Sequence, residues 1–162
     1  MLLAQVAILS ASLLIGFVLF AWTARANLTS DYQARAADIA QTFAEIPDVR
    51  QCLAGSGSAC TGSAQEAVQQ LATATMRRTG AAYVVVIDMD RVRLSHPNPA
   101  LIGEKVSEDV VARDGRVHLR TDSGSTGPTA NARVPVFADD GRTVIGEISV
   151  GIREPSVAAE LL

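Results

Sequence analysis

Residues 83–97 read YVVVIDMDRVRLSHP, and this stretch decides the fold. Its first half is β-branched and apolar on both faces, which predicts a central strand. Asp88-Met89-Asp90 has turn chemistry, and Arg91–Ser95 predicts a returning strand that Pro97 stops. The returning strand carries a cation, Arg93, and an imidazole, His96. Strict alternation would put the two on opposite faces. Pro97 restricts the residue before it, so His96 can turn toward the face that Arg93 occupies. The same histidine could instead be structural, holding the Pro97 turn.

Further along, Pro97-Asn98-Pro99 breaks the ladder and LIGEKVSEDVV reads as short helix and loop. Arg116–Arg120 predicts a short third strand, followed by the glycine-rich loop Ser123–Gly127 and a fourth strand at Asn131–Phe137. Asp139-Asp140-Gly141 is a turn before the fifth strand, Thr143–Gly151. Upstream of Tyr83 the period is helical. Leu28–Arg50 predicts a helix capped by Thr29 or Ser30, with Ala37, Ile39, Ala40, Phe43 and Ile46 at helical spacing, disturbed at Pro47. Ala64–Thr79 predicts another, ended by Gly80. Two helices followed by five mostly antiparallel strands make an α+β sandwich.

The 162 residues suffice for one domain plus a segment outside its core. A net charge of −3 and 4% aromatic residues exclude a general nucleic-acid binder, which needs a basic surface. Residues 2–22, LLAQVAILSASLLIGFVLFAW, hold no charge, and about 20 such residues span a bilayer core of ~30 Å. Trp22 stands where an interfacial aromatic belongs. Ala24-Arg25-Ala26 imitates a signal-peptide cleavage site. However, the apolar run exceeds a signal's usual length and no basic segment precedes it, which favours a retained membrane helix. Arg25, the first cation, would by the positive-inside rule keep the rest of the chain cytoplasmic. Cys52 and Cys60 argue the other way. They bracket the flexible LAGSGSA, so two sulfurs can meet in an oxidising compartment, although two unrelated thiols fit the same spacing.

In NARVPVF, alternation places Asn131, Arg133 and Pro135 on one face and Ala132, Val134 and Val136 on the other. Arg133 offers a fork of N–H donors suited to a carboxylate or phosphate, or it is a solvated strand arginine. The SGSTG loop adds backbone donors and the hydroxyls of Ser125 and Thr126. Ser149 interrupts an apolar strand, facing a pocket or bonding a neighbouring backbone group. No metal-ligand spacing, P-loop, nucleophile elbow or acid–base set is present, so neither a cofactor, a metal nor catalysis is expected.

The stretches YVVVIDMDRVRLSHPNPALIGEKV, GSTGPTANARVPVF and DDGRTVIGEISVGI, in that order and spacing, resemble the extracytoplasmic PAS-like sensor domain of the citrate and C4-dicarboxylate sensor histidine kinases. The resemblance covers roughly residues 28–155. It implies a membrane helix and a long helix leading into a PAS-like five-stranded antiparallel sheet flanked by helices. The implied domains are an anchor at 1–26, a sensor at 27–155 and, at 156–162, a connection toward a second membrane helix. It also implies a single-pass homodimer in the cell membrane, with a cytoplasmic kinase domain and response regulator in the parent system. The chain stops where that second helix would begin, as a piece of a longer sensor or a stand-alone remnant would. Carried over by position, Arg93 and His96 match the pair that grips a small organic carboxylate. Arg133, Ser125 with its neighbours, and Ser149 match further ligand contacts. Two positions depart: Asn131 stands where another carboxylate-binding arginine is usual, and Val85 where a hydroxyl can occur. A ligand with fewer carboxylates than citrate, a shifted pose or weakened binding is expected. The competing readings are a membrane-anchored structural or adaptor domain with an unused pocket, and a small secreted enzyme.

Overall fold

The computed structural model describes residues 2–55, 60–124 and 127–153, and the chain divides after Asp31 into two units. Helix α1 (Leu2–Ala44) contributes to both. In the first unit its side chains are apolar and exposed, Leu13, Phe17 and Phe20 among them. Two of its hydroxyls turn back on the helix: Ser12 donates to the Ile8 carbonyl at 2.9 Å and Thr23 to that of Leu19 at 3.0 Å. By length and composition this helix is sufficient to cross a membrane.

The second unit begins within α1, where Ala36, Ala40, Phe43 and Ala44 are buried. The helix predicted to reach Arg50 stops at Ala44. Pro47 does not merely disturb it but opens a separate helix, α2 (Pro47–Ala54). At the first position of a helix the missing proline N–H has no partner to lose. Cys52 on α2 forms a disulfide with Cys60. Helix α3 (Ser63–Thr79) ends at Gly80, whose φ of 75° lets its N–H close on the Met76 carbonyl at 2.9 Å.

The sheet has four strands: β1 (Tyr83–Asp88), β2 (His118–Gly124), β3 (Gly127–Phe137) and β4 (Val144–Arg153). Their order is β1-β4-β3-β2 and every pairing is antiparallel. Two expectations are corrected here. The returning strand predicted at Arg91–Ser95 is reduced to single bridges, Ile87 to Arg93 and Val92 to Lys105. β1 is accordingly an edge strand and not a central one. The reason lies in how residues 91–95 meet it. Arg91 takes a left-handed φ of 71°, and Asp88 Oδ1 accepts from the N–H groups of both Asp90 and Val92. The chain then runs beside β1 too irregularly for a ladder. Leu94 N–H still reaches the Val86 carbonyl at 2.8 Å, and the fully buried Ser95 hydroxyl supplies what a ladder would have. It accepts from Val86 N–H at 2.9 Å and donates to the Val84 carbonyl at 3.2 Å. The edge of β1 is thus satisfied by a side chain.

Alternation gives the sheet two faces. Val84 and Val86 of β1, Ala132, Val134 and Val136 of β3, and Ile148, Val150 and Ile152 of β4 pack with the three helices into the main core. The opposite face carries a smaller cluster of Val85, Ile87 and Val110, bordered by Tyr83, Met89 and Val106. Val106, Val110 and the short 3-10 turn Val111–Asp114 in the segment after β1 cover this second face. That cover explains why β1 is apolar on both sides although it lies at an edge.

The disulfide closes a small loop and restricts the unfolded chain, a contribution of about 2.5–3 kcal/mol in the chain-entropy model. Replacing both Cys52 and Cys60 with serine should therefore lower unfolding free energy by about that amount in a thermal or urea titration. Equal stability of the variant and the wild-type chain would contradict it.

Candidate functional site

On the second face of the sheet lies a cavity of about 220 Å³. At about 30 Å³ per water this holds roughly seven waters, the scale of a small organic ion. Tyr83, Val85 and Ile87 of β1 floor it, Arg133 of β3 and Ser149 of β4 flank them, and Arg93, His96, Val106, Ser107 and Glu108 come from the covering segment. Four of the seven predicted ligand residues, Arg93, His96, Arg133 and Ser149, are therefore together. Ser125 and Thr126 lie outside the described residues.

Arg133 is there because β3 sends Ala132 and Val134 into the core. Only 14% of its side chain is exposed. Nη2 donates to Glu108 Oε2 at 2.6 Å, Nη1 lies 3.8 Å from Glu147 Oε1, and the buried Nε has no hydrogen-bond partner among the described residues. Glu147 is fully buried, and its Oε2 accepts from Ala112 N–H at 2.8 Å. Burial raises its pKa above the ordinary 4.5, against the opposing pull of the Ala112 N–H and the Arg133 charge.

His96 is fixed from behind by α3. The Gln69 side-chain amide donates to the His96 carbonyl at 3.0 Å and accepts its backbone N–H at 2.9 Å. The ring's Nδ1 lies 2.9 Å from the Asn98 N–H and 3.2 Å from the Asn98 carbonyl, so it accepts from the first in the Nε2–H tautomer and donates to the second when protonated. The neutral Nε2–H tautomer leaves one N–H donor for the cavity. Burial lowers the His96 pKa below 6.5, the Asn98 backbone contact opposes that, and the Arg93 charge lowers it further, which together favour the neutral ring. Arg93 is bonded through its backbone N–H to the Glu104 carbonyl at 3.1 Å. Its Nη1 makes only long contacts, 3.4 and 3.3 Å, to the carbonyls of Glu104 and Lys105. This guanidinium therefore keeps donors for another acceptor. Ser149 is buried and in register with Val85 on one side and Arg133 on the other.

Asn131 does not line the cavity. It is fully buried, and its amide donates to Asp122 and, at 3.2 Å, to the hydroxyl of Tyr83. Tyr83 lies flat against Gly151, where a Cβ would come within 2.2 Å of the ring. Asn131 thus supports the cavity wall through Tyr83. The residues unforeseen from sequence are Glu108 and Glu147. Glu147 had a signal, since it shares strand parity with Ser149 and so belongs to the same polar stripe. Glu108 had none, because it sits in an irregular segment 25 residues from Arg133.

A larger hollow of about 350 Å³ near Cys52 has Lys105 as its only lining cation among the described residues, facing Asp88 and Asp90. It is electrostatically unsuited to an anion. The 220 Å³ cavity, with two guanidinium groups and an N–H donor, is suited to one.

Comparison with known proteins identifies the family and the fold. The family model described as single cache domain 3 matches residues 23–162. The sensor protein CitS of Halalkalibacterium halodurans is 32% identical over 120 residues, covering 72% of this chain and 21% of CitS. The sensor histidine kinase DcuS of Escherichia coli is 25% identical over 138 residues, covering 83% of this chain and 24% of DcuS. The chain thus spans only about a quarter, or less, of these curated relatives. In fold, the E. coli DcuS sensor domain superposes with a TM-score of 0.66 at 23% identity, covering 83% of this chain and 97% of that one. The V. cholerae histidine kinase DctB sensor domain gives 0.65 at 15% identity, covering 83% and 55%.

The raised Glu147 pKa has a defined sign. Its stabilising contribution is complete below the unfolded value of about 4.5 and is lost as pH rises through the folded value. The melting temperature of Glu147→Gln, relative to wild type, should therefore climb from pH 4 to pH 7. A difference that is flat or falls with pH would contradict this.

Proposed function

The chain belongs to the single cache domain 3 family, and from that premise we propose that it is the ligand-sensing extracytoplasmic module of a membrane-bound, two-component sensor histidine kinase. Its ligand is a small organic carboxylate, held in the cavity on the second face of the sheet. The observation that carries this reading is the convergence of Arg93, Arg133 and the neutral His96 on one small cavity beside Ser149. Two guanidinium groups suit two carboxylates, and the imidazole N–H suits a third, neutral contact. Resemblance to the carboxylate sensors leads to the same pocket. At position 131, where those sensors usually place another arginine, the buried Asn131 amide is engaged by Asp122 and Tyr83. A dicarboxylate is therefore favoured over citrate.

Residues 1–26 act as the membrane anchor, 27–155 as the sensor and 156–162 as a connection toward a second membrane helix. The parent protein is a homodimer whose cytoplasmic kinase serves a response regulator. β4 is the natural output element, because Ser149 contacts the ligand cavity while the strand pairs with both β1 and β3. Ligand contacts there bias the strand, by no more than the ligand's differential affinity for the two shapes.

Titration calorimetry of the purified chain with acetate, succinate, malate and citrate tests this reading. A dicarboxylate should bind best, and Arg133→Ala should weaken it by about tenfold or more, the worth of one charge-assisted hydrogen bond. Low-micromolar citrate binding would contradict the role given to Asn131. Binding of none of the four would leave the alternative, a membrane-anchored structural domain with an unused pocket.

A further inference from the structure

Arg133 already holds a carboxylate, and that carboxylate belongs to the chain itself. Glu108 Oε2 accepts from Nη2 at 2.6 Å, at the wall of the cavity. A single oxygen fills only half of the side-on fork that Nη2 and Nε present together, and Nε is without a hydrogen-bond partner among the described residues. A carboxylate placing both oxygens in that plane would satisfy both N–H groups. Glu108 also sits where exchange is easy. Its segment is pinned by the packed side chains of Val106 and Val110, while the Ser107-Glu108-Asp109 tip between them is exposed. The tip can move without drawing either apolar pin out of its cluster.

We infer that Glu108 is a tethered competitor for the ligand: its carboxylate occupies Arg133, and a small organic carboxylate binds by exchanging with it. This rests on the carboxylate reading of the cavity and deepens it. The exchange raises the threshold concentration of ligand, because every binding event breaks one ion pair to form another. It also selects for ligands that engage both N–H groups of Arg133, since an acceptor with one oxygen offers nothing that Glu108 does not. The displaced tip leads directly to Val111–Asp114, whose Ala112 N–H is bonded to Glu147 on β4.

The test is succinate titration calorimetry on the whole chain and four variants. Glu108→Gln keeps the shape of the side chain and removes its charge, and should bind succinate about fivefold more tightly than wild type, the upper end for a partly exposed ion pair. Asp109→Asn, which removes a neighbouring charge that contacts Arg91 at 3.6 Å and not Arg133, should change affinity less than twofold. In an Arg133→Met background the Glu108→Gln gain should vanish. Wild-type binding with no gain in Glu108→Gln, an equal gain in Asp109→Asn, or a gain that survives Arg133→Met would each overturn the competitor and leave the carboxylate site standing. Binding of none of acetate, succinate, malate and citrate by any of the proteins would overturn both.

Discussion

β3 must send Ala132, Val134 and Val136 into the core beneath the helices, and strand alternation then forces Arg133 onto the opposite face. The rest of the site follows from that placement. A guanidinium only 14% exposed requires acceptors, and the fold supplies two carboxylates. Glu147 stands behind it on the neighbouring strand, and Glu108 stands in front on the covering segment. Neither is ideal for the purpose. Glu147 is raised in pKa by its burial and lies 3.8 Å away, while Glu108 uses one oxygen. Arg133 is thus held in place but incompletely satisfied, the condition in which a better acceptor gains most.

The second constraint is the edge of β1. Residues 91–95 could have completed a five-stranded sheet, and the buried Ser95 hydroxyl shows how near they come. Because they do not, the chain is free to arch over the second face with Arg93 and His96 directed at the cavity. A regular fifth strand would have imposed alternation and separated those two side chains. The irregularity therefore shapes the site, and Gln69 on α3 makes it rigid by clamping the His96 backbone from the helical side.

These features also explain what could be read from the sequence. Helix α3, the existence of strands after Arg116 and the two faces of β3 were legible because each rests on local periodicity or turn chemistry, whereas α1 runs unbroken through Thr29 and Ser30, and β2 and β3 extend to Gly124 and from Gly127 into what read as a loop. Val84–Ile87 read as a central strand because burial on both faces leaves the same signature whether the cover is a neighbouring strand or a loop. Arg133 was legible from strand parity and Ser149 as a polar interruption, while Arg93 and His96, opposed by strict alternation, were legible together only through the break at Pro97. Asn131 shared Arg133's stripe, but its engagement by Asp122 and Tyr83 depends on side chains from two other strands. Glu108 was illegible for a related reason: its partner is chosen by closure of an irregular segment, which no spacing rule encodes.

The central claim is that Arg133 and His96 contact a carboxylate ligand directly. Nitrogen-15 NMR of the arginine Nε–H and imidazole resonances during a succinate titration tests it most closely. Direct contact should give a large downfield shift of the Arg133 Nε–H proton and a saturable shift of the His96 imidazole nitrogens. Saturable succinate binding that leaves both resonances unmoved would contradict it.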